Sequence, residues 1–214
     1  MSALASEDDA RFMGRAIELA RGQMGVTWPN PSVACVIVSD GEVVAEAATA
    51  QGGRPHAEEQ AVPAAGERAR GATAYVTLEP CGARSSGRTS CSHFLVQAGV
   101  ARVVVAAVDP SAFAAGRGID RLRQAGLEVE VGLMAEEAAV LYEGYLHRVE
   151  TGRPMVRISE DGEGFDARFA VSPKADLATE LKRLGEAGYT RVWVSPGDLA
   201  EALRAQNLLS DQQA

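Results

Sequence analysis

His56, Glu58, Cys81 and Cys91 constrain this chain more than any other feature. The segments that carry them, Pro55-His56-Ala57-Glu58-Glu59, Thr77-Leu78-Glu79-Pro80-Cys81 and Thr89-Ser90-Cys91, make chemical sense only if the fold brings them together. One imidazole, two thiols and a carboxylate placed too near the histidine to be a second ligand on one helical face match an open tetrahedral zinc site with a separate proton carrier. Either thiol alone reads as a small packing residue. In this order, at junctions between β-prone and helix-prone stretches, they read as ligands. Ala72 to Leu78 is a short β-prone run ending at Glu79-Pro80-Cys81, and Thr89-Ser90-Cys91 opens an apolar-periodic segment that Ser90 or Thr89 would cap. Both thiols are therefore expected at helix starts, where open amides and the helix dipole favour thiolate.

Periodicity supplies the frame for that meeting. A helix from about Glu7 to Gln23 repeats Phe12, Met13, Ala16, Ile17 and Ala20 at helical spacing, with Ser6 as its cap and acids in its first turn. Val33 to Val38 and Val43 to Ala47 flank Asp40-Gly41, a hairpin signal. Helices are expected over Ala57 to Arg70, Cys91 to Ala98, Arg117 to Gln124 and Ala135 to Val149. Strands are expected around Tyr75 and over Arg102 to Val108 and Leu127 to Val131. Repeated strand-helix units after a hairpin predict an α/β fold, a three-layer α/β/α arrangement around a mixed five-stranded sheet. Ligands of such sheets gather beyond the strand ends, where the four residues lie.

His-x-Glu followed by Pro-Cys and a further Cys is the pattern of zinc-dependent base deaminases, with Zn²⁺ as the metal and Glu58 as the acid and base. Nine residues separate Cys81 from Cys91, more than in the commonest deaminase form. Residues 10–153 resemble the deaminase domain of the bifunctional riboflavin-biosynthesis deaminase/reductase family. The resemblance rests on Trp28-Pro29-Asn30-Pro31-Ser32-Val33, Pro55-His56-Ala57-Glu58, Leu78-Glu79-Pro80-Cys81, Gly87-Arg88-Thr89-Ser90-Cys91, Asp109-Pro110, Gly116-Arg117-Gly118 and Thr151-Gly152-Arg153-Pro154. It implies a cytidine-deaminase-like sheet of order 2-1-3-4-5 and hydrolytic deamination of a diaminopyrimidinone carrying a phosphoribosylamino group. It implies His56, Cys81 and Cys91 as zinc ligands, Glu58 as proton shuttle, Asn30 as a base contact and Arg88 as a phosphate contact. It also implies a homodimer or tetramer. The chain departs from the family at Thr49, where a second histidine is usual, and at Ser111, where asparagine is usual. Both changes lie in the substrate shell, so the expectation is retained chemistry with altered recognition. Two other readings compete with it: a deaminase of another small base or nucleoside, and a zinc-stabilised scaffold without turnover. A shuttle acid such as Glu58 argues against the scaffold.

Residues 1–153 thus read as a zinc-dependent deaminase domain and 154–214 as a short, degenerate reductase-like segment. Met155 to Gly162 resembles that reductase's opening strand, Leu177 to Ala187 reads as a helix, and Thr190 to Gly197 as a strand and turn. No glycine-rich phosphate loop lies between strand and helix to hold a dinucleotide, so the segment reads as a small α/β cap or oligomer contact. A net charge of -8 disfavours nucleic-acid partners, because affinity for a polyanion rests on phosphate neutralisation. The first residues lack the basic and apolar regions of a secretory signal, and no apolar run reaches membrane-spanning length. Three cysteines, two assigned to metal and Cys35 to packing in a strand, point to a reducing, cytoplasmic setting. His93, two residues after Cys91, is the one competitor for a ligand position, and helical geometry points it roughly away; His147, near a helix end beside Arg148, reads as surface charge.

Overall fold

The computed structural model describes residues 6–83, 89–111 and 115–210. Helix α1 (Glu7–Arg21) opens on a reciprocal cap, in which Ser6 Oγ accepts from Asp9 N and Asp9 Oδ2 accepts from Ser6 N, both at 3.1 Å. Two amides that a first turn leaves open are thereby satisfied. Strand β1 (Ala34–Ser39) turns through Asp40 and Gly41, with φ of 52° and 77°, into β2 (Glu42–Ala48). Positive φ at both positions matches the turn to the strand twist, which is why Asp-Gly sits there. There follow α2 (Ala57–Ala65), β3 (Thr73–Leu78), α3 (Cys91–Ala98), β4 (Arg102–Ala107), α4 (Arg117–Gln124) and β5 (Glu128–Val131).

The five strands form one sheet in the order β2-β1-β3-β4-β5, as the resemblance implied. Strand β1 is antiparallel to β2 and β3, whereas β3, β4 and β5 run parallel. Alternate residues of each strand feed opposite cores. Ala34, Val36, Val38, Tyr75 and Val104 pack with α1 on one face, and Cys35, Ile37, Ala74, Val76, Val103 and Val105 pack with α2 and α3 on the other. Cys35 is fully buried, the packing role expected of it.

Two helices depart from their expected lengths. Helix α2 runs through Pro63 and stops at Ala65, because Gly66 leaves the helical region at φ 56°, ψ -136°; residues 66–69 continue as a short 3-10 turn. The stretch expected as one helix from Ala135 to Val149 is two, α5 (Ala135–Ala139) and α6 (Glu143–Thr151). Between them Tyr142 swings to φ -128° and is buried with Leu141 in the α1-side core. Burial of those two side chains outweighs helical continuity.

Residues 155–208 build a second sheet. Strands β6 (Met155–Ile158), β7 (Ala167–Arg168) and β8 (Arg191–Val194) are parallel in the order β6-β8-β7, with α7 (Leu177–Glu186) and α8 (Asp198–Ala205) beside them. Val156, Phe169, Leu177, Leu181, Val192 and Leu203 form a core of their own. No helix among the described residues is long and apolar enough to cross a membrane.

One polar cluster ties α1 to the sheet. Arg102 donates to Asp9 Oδ1 at 2.7 Å, to Asp9 Oδ2 at 3.1 Å and to Glu130 Oε1 at 2.7 Å, and Tyr75 Oη donates to Asp9 Oδ1 at 2.7 Å. The Arg102 guanidinium holds the Asp9 carboxyl well below the usual carboxylate range, against the opposing effect of burial. A depressed carboxyl stabilises the fold above its unfolded pKa of about 3.9 and loses that contribution as pH falls towards the folded value. Asp9→Asn should therefore cost about 2–3 kcal/mol at pH 7, with the gap to the parent narrowing below about pH 4. Urea denaturation at the two pH values measures it.

Candidate active site

His56, Glu58, Cys81 and Cys91 emerge at one end of the first sheet, where β3 and β4 end, β1 begins and β2 ends. His56 occupies the N-cap of α2, its backbone N donating to Glu59 Oε2 at 2.8 Å, and Glu58 follows in the first turn at 2% exposure. Cys91 is the first residue of α3 and is 1% exposed. Cys81 does not start a helix, contrary to expectation; it lies in the loop that leaves β3. That loop is pressed against the start of α3, so the helix still serves it. Cys91 N donates to Cys81 Sγ at 3.2 Å, and Ser92 donates to Cys81 O from N at 3.3 Å and from Oγ at 3.0 Å. An amide of a helix N-terminus aimed at sulfur favours thiolate. Ser90 stands at the N-cap position without capping; its Oγ accepts from Arg121 Nη1 at 2.8 Å.

A second device seats the Cys81 loop. Glu79 is buried and its carboxylate accepts from Gly116 N at 3.0 Å, Gly118 N at 2.9 Å and Ile119 N at 3.3 Å, the open amides at the start of α4. Backbone meets backbone here: a β-carbon on Gly118 would overlap Pro80 O. Sequence reasoning quoted both residues and assigned them no task. Glutamate before Pro-Cys, with a Gly-x-Gly further on, was the available signal.

The donor set fits zinc. The ligand atoms of His56, Cys81 and Cys91 all lie within 4.8 Å of one another. His56 Nδ1 is 3.3 Å from Cys91 Sγ, close to the roughly 3.6 Å that tetrahedral zinc imposes between nitrogen and sulfur ligands. Nε2 of the same ring is buried without a hydrogen-bond partner among the described residues, leaving Nδ1 as the nitrogen that faces the sulfurs. His93 is exposed and does not join the group. Burial pushes the Glu58 carboxyl above its ordinary range, with the neighbouring His56 opposing and Cys81 reinforcing the shift.

A cavity of about 240 Å³ opens over these residues. Asn30 lines it, with Nδ2 donating to Gly53 O at 2.7 Å. Gly53 has φ 80°, and a β-carbon there would lie 2.6 Å from Asn30 Nδ2, so the close approach requires glycine. Thr49 also lines the cavity, but its Oγ1 bonds the backbone N and O of Val33, both at 3.2 Å. Ser111 presents a buried Oγ without a hydrogen-bond partner among the described residues, while its N donates to Asp109 Oδ1 at 2.8 Å. Arg54, Tyr145 and Arg148 also line the wall and were missed. Tyr145 and Arg148 are three apart on α6 and share a face, the one signal that would have paired them. His147 is half-buried rather than at the surface, and burial lowers its pKa. Arg88, the expected phosphate contact, lies outside the described residues.

Comparison with known proteins agrees with this chemistry. Residues 6–107 match the family model of the cytidine and deoxycytidylate deaminase zinc-binding region. The riboflavin biosynthesis protein RibD of Escherichia coli is 49% identical over 165 residues, 77% of this chain and 44% of that protein. The chloroplastic riboflavin biosynthesis protein PYRD of Arabidopsis thaliana is 44% identical over 222 residues, 93% of this chain and 52% of that protein. Among solved structures, Acinetobacter baumannii RibD superposes with a TM-score of 0.81 at 28% identity, covering 95% of this chain and 85% of that one. The chain spans about half the length of the curated relatives it matches.

Proposed function

We propose that this chain is a zinc-dependent deaminase of the riboflavin-biosynthesis kind, to which its sequence and fold are similar, and that it hydrolytically deaminates a diaminopyrimidinone carrying a phosphoribosylamino group. One observation carries the reading: a His/Cys/Cys donor set and a buried carboxylate meet in a single cavity. A purely structural zinc site is closed by four protein ligands and needs no neighbouring acid. His56, Cys81 and Cys91 would hold the metal through Nδ1 and the two Sγ atoms. Bound there, zinc supplies the Lewis acidity that brings a water towards ionisation at neutral pH.

Glu58 moves the proton. Its carboxylate takes a proton from the attacking water and, as the acid, returns it to the ring nitrogen beside the amino-bearing carbon; a second transfer carries the remaining proton of the added hydroxyl to the amine as the carbonyl forms. A carbon–oxygen bond forms, the carbon–nitrogen bond breaks and ammonia leaves. Asn30 is the proposed base contact. Its amide is already held by Gly53, so its orientation is set before substrate arrives.

Ammonia release from the phosphoribosylated riboflavin intermediate, assayed beside cytidine, cytosine and guanine, tests the reading. Release from the phosphoribosylated compound alone is expected, and no release from any of them overturns it. Arg88 is the proposed phosphate contact. Arg88→Ala should raise KM for the phosphorylated substrate about 10- to 100-fold, the worth of a lost charge-assisted bond, and leave KM for a dephosphorylated analogue unchanged. A homodimeric or tetrameric assembly, supported by the family resemblance, and a cytoplasmic location, supported by the cysteine usage, belong to the same proposal. Sedimentation of the purified chain tests the assembly.

A further inference from the structure

The second sheet and its helices sit against the cavity wall. Trp28 stacks on Tyr189 with ring centroids 4.3 Å apart and planes inclined by 22°. Beside that pair, a β-carbon on Gly188 would lie 2.8 Å from Pro29 Cβ. Arg148, which lines the cavity, donates to Pro29 O at 3.2 Å from Nη2 and reaches Gly185 O of α7 at 3.5 Å from Nη1. Glycines mark the closest approaches elsewhere along the same seam. A β-carbon on Gly25 would lie 2.7 Å from Phe165 O, and one on Gly144 would overlap the Arg191 side chain. Arg191, 7% exposed, closes the seam by donating to Val140 O at 2.7 Å and Glu143 Oε1 at 3.0 Å. A loosely attached remnant would not need a seam on which side chains cannot fit.

Trp28 and Pro29 immediately precede Asn30, and Pro29 and Asn30 both line the cavity. We infer that residues 155–208 act as a positioning element for the deaminase cavity, clamping Trp28 and Pro29 so that Asn30 and the wall beside it stand ready for substrate. Tyr189 is the central positioning residue and touches no reacting atom. This inference rests on the deamination proposed above, and it gives the segment a task other than a second catalytic unit.

The test uses the full chain. In Tyr189→Ala, KM for the phosphoribosylated substrate should rise about tenfold, with kcat within about twofold of the parent and zinc content unchanged, the pattern of lost uniform binding. Tyr189→Phe, which keeps the stack, should restore KM. Backbone hydrogen exchange over residues 24–31 should quicken in Tyr189→Ala while β1 and β3 stay protected. Unchanged exchange in that segment overturns the inference, and so does quickened exchange with unchanged KM. Should Tyr189→Ala fail to fold, Tyr189→Leu keeps apolar burial without the stack and is judged by the same readouts. If the parent releases ammonia from no base, the deaminase reading falls, while the exchange measurement still decides the clamp.

Discussion

Glu58→Gln is expected to lower ammonia release by about 10²- to 10⁴-fold, the usual contribution of a positioned acid–base group, while the purified chain keeps its zinc. Glutamine preserves the volume and the hydrogen-bonding reach of the side chain but cannot accept and return a proton. Glu58 is not among the three residues whose ligand atoms converge, so zinc content should not follow activity. Elemental analysis beside a single-turnover assay separates the two. If zinc is lost with the carboxylate, Glu58 is part of the metal cage and the proton must travel elsewhere. If activity persists, the buried acid is a packing feature and the proposed chemistry loses its carrier.

Which parts of this arrangement were legible in the sequence follows from the range over which each residue acts. His56 and Glu58 speak through local spacing, since a cap and the first turn of its helix fix their relation. Asp40-Gly41 predicts its hairpin because positive φ is a property of those two residues alone. Strand order was legible through the family resemblance and agrees with alternating burial on β1, β3 and β4. By contrast, Glu79 and Gly118 matter only because two backbones touch, and no periodicity records that contact. Tyr145 and Arg148 reach the cavity because α6 starts afresh after Tyr142, which a continuous helix from Ala135 would not have allowed. Strand β7 escaped notice because two residues have no period. Local chemistry was therefore readable, and close approach between distant segments was not.

Gly118→Ala is expected to weaken zinc binding about 10- to 100-fold, although residue 118 touches no metal ligand, because supporting contacts of a metal site commonly carry that much affinity. The added carbon would overlap Pro80 O, one residue before Cys81, and backbone rather than a flexible side chain must yield. Moving Pro80 drags Glu79 from three amides of α4, each costing about 1–3 kcal/mol when buried without a partner. Gly116→Ala, two residues earlier, is the matched control. Gly116 has φ 84° and, among the described residues, nothing within 4 Å of its missing β-carbon, so alanine there adds left-handed strain of about 1–2 kcal/mol without that overlap. Competition against a chromophoric chelator should therefore find a large affinity loss at residue 118 and a small one at residue 116, with both variants folded by circular dichroism. Equal affinities for the two would mean that Cys81 is seated by the start of α3 alone and that Glu79 merely caps α4. A loss at residue 118 that Glu79→Gln reproduces in part would identify the carboxylate as the link, since glutamine retains one acceptor oxygen where three amides converge.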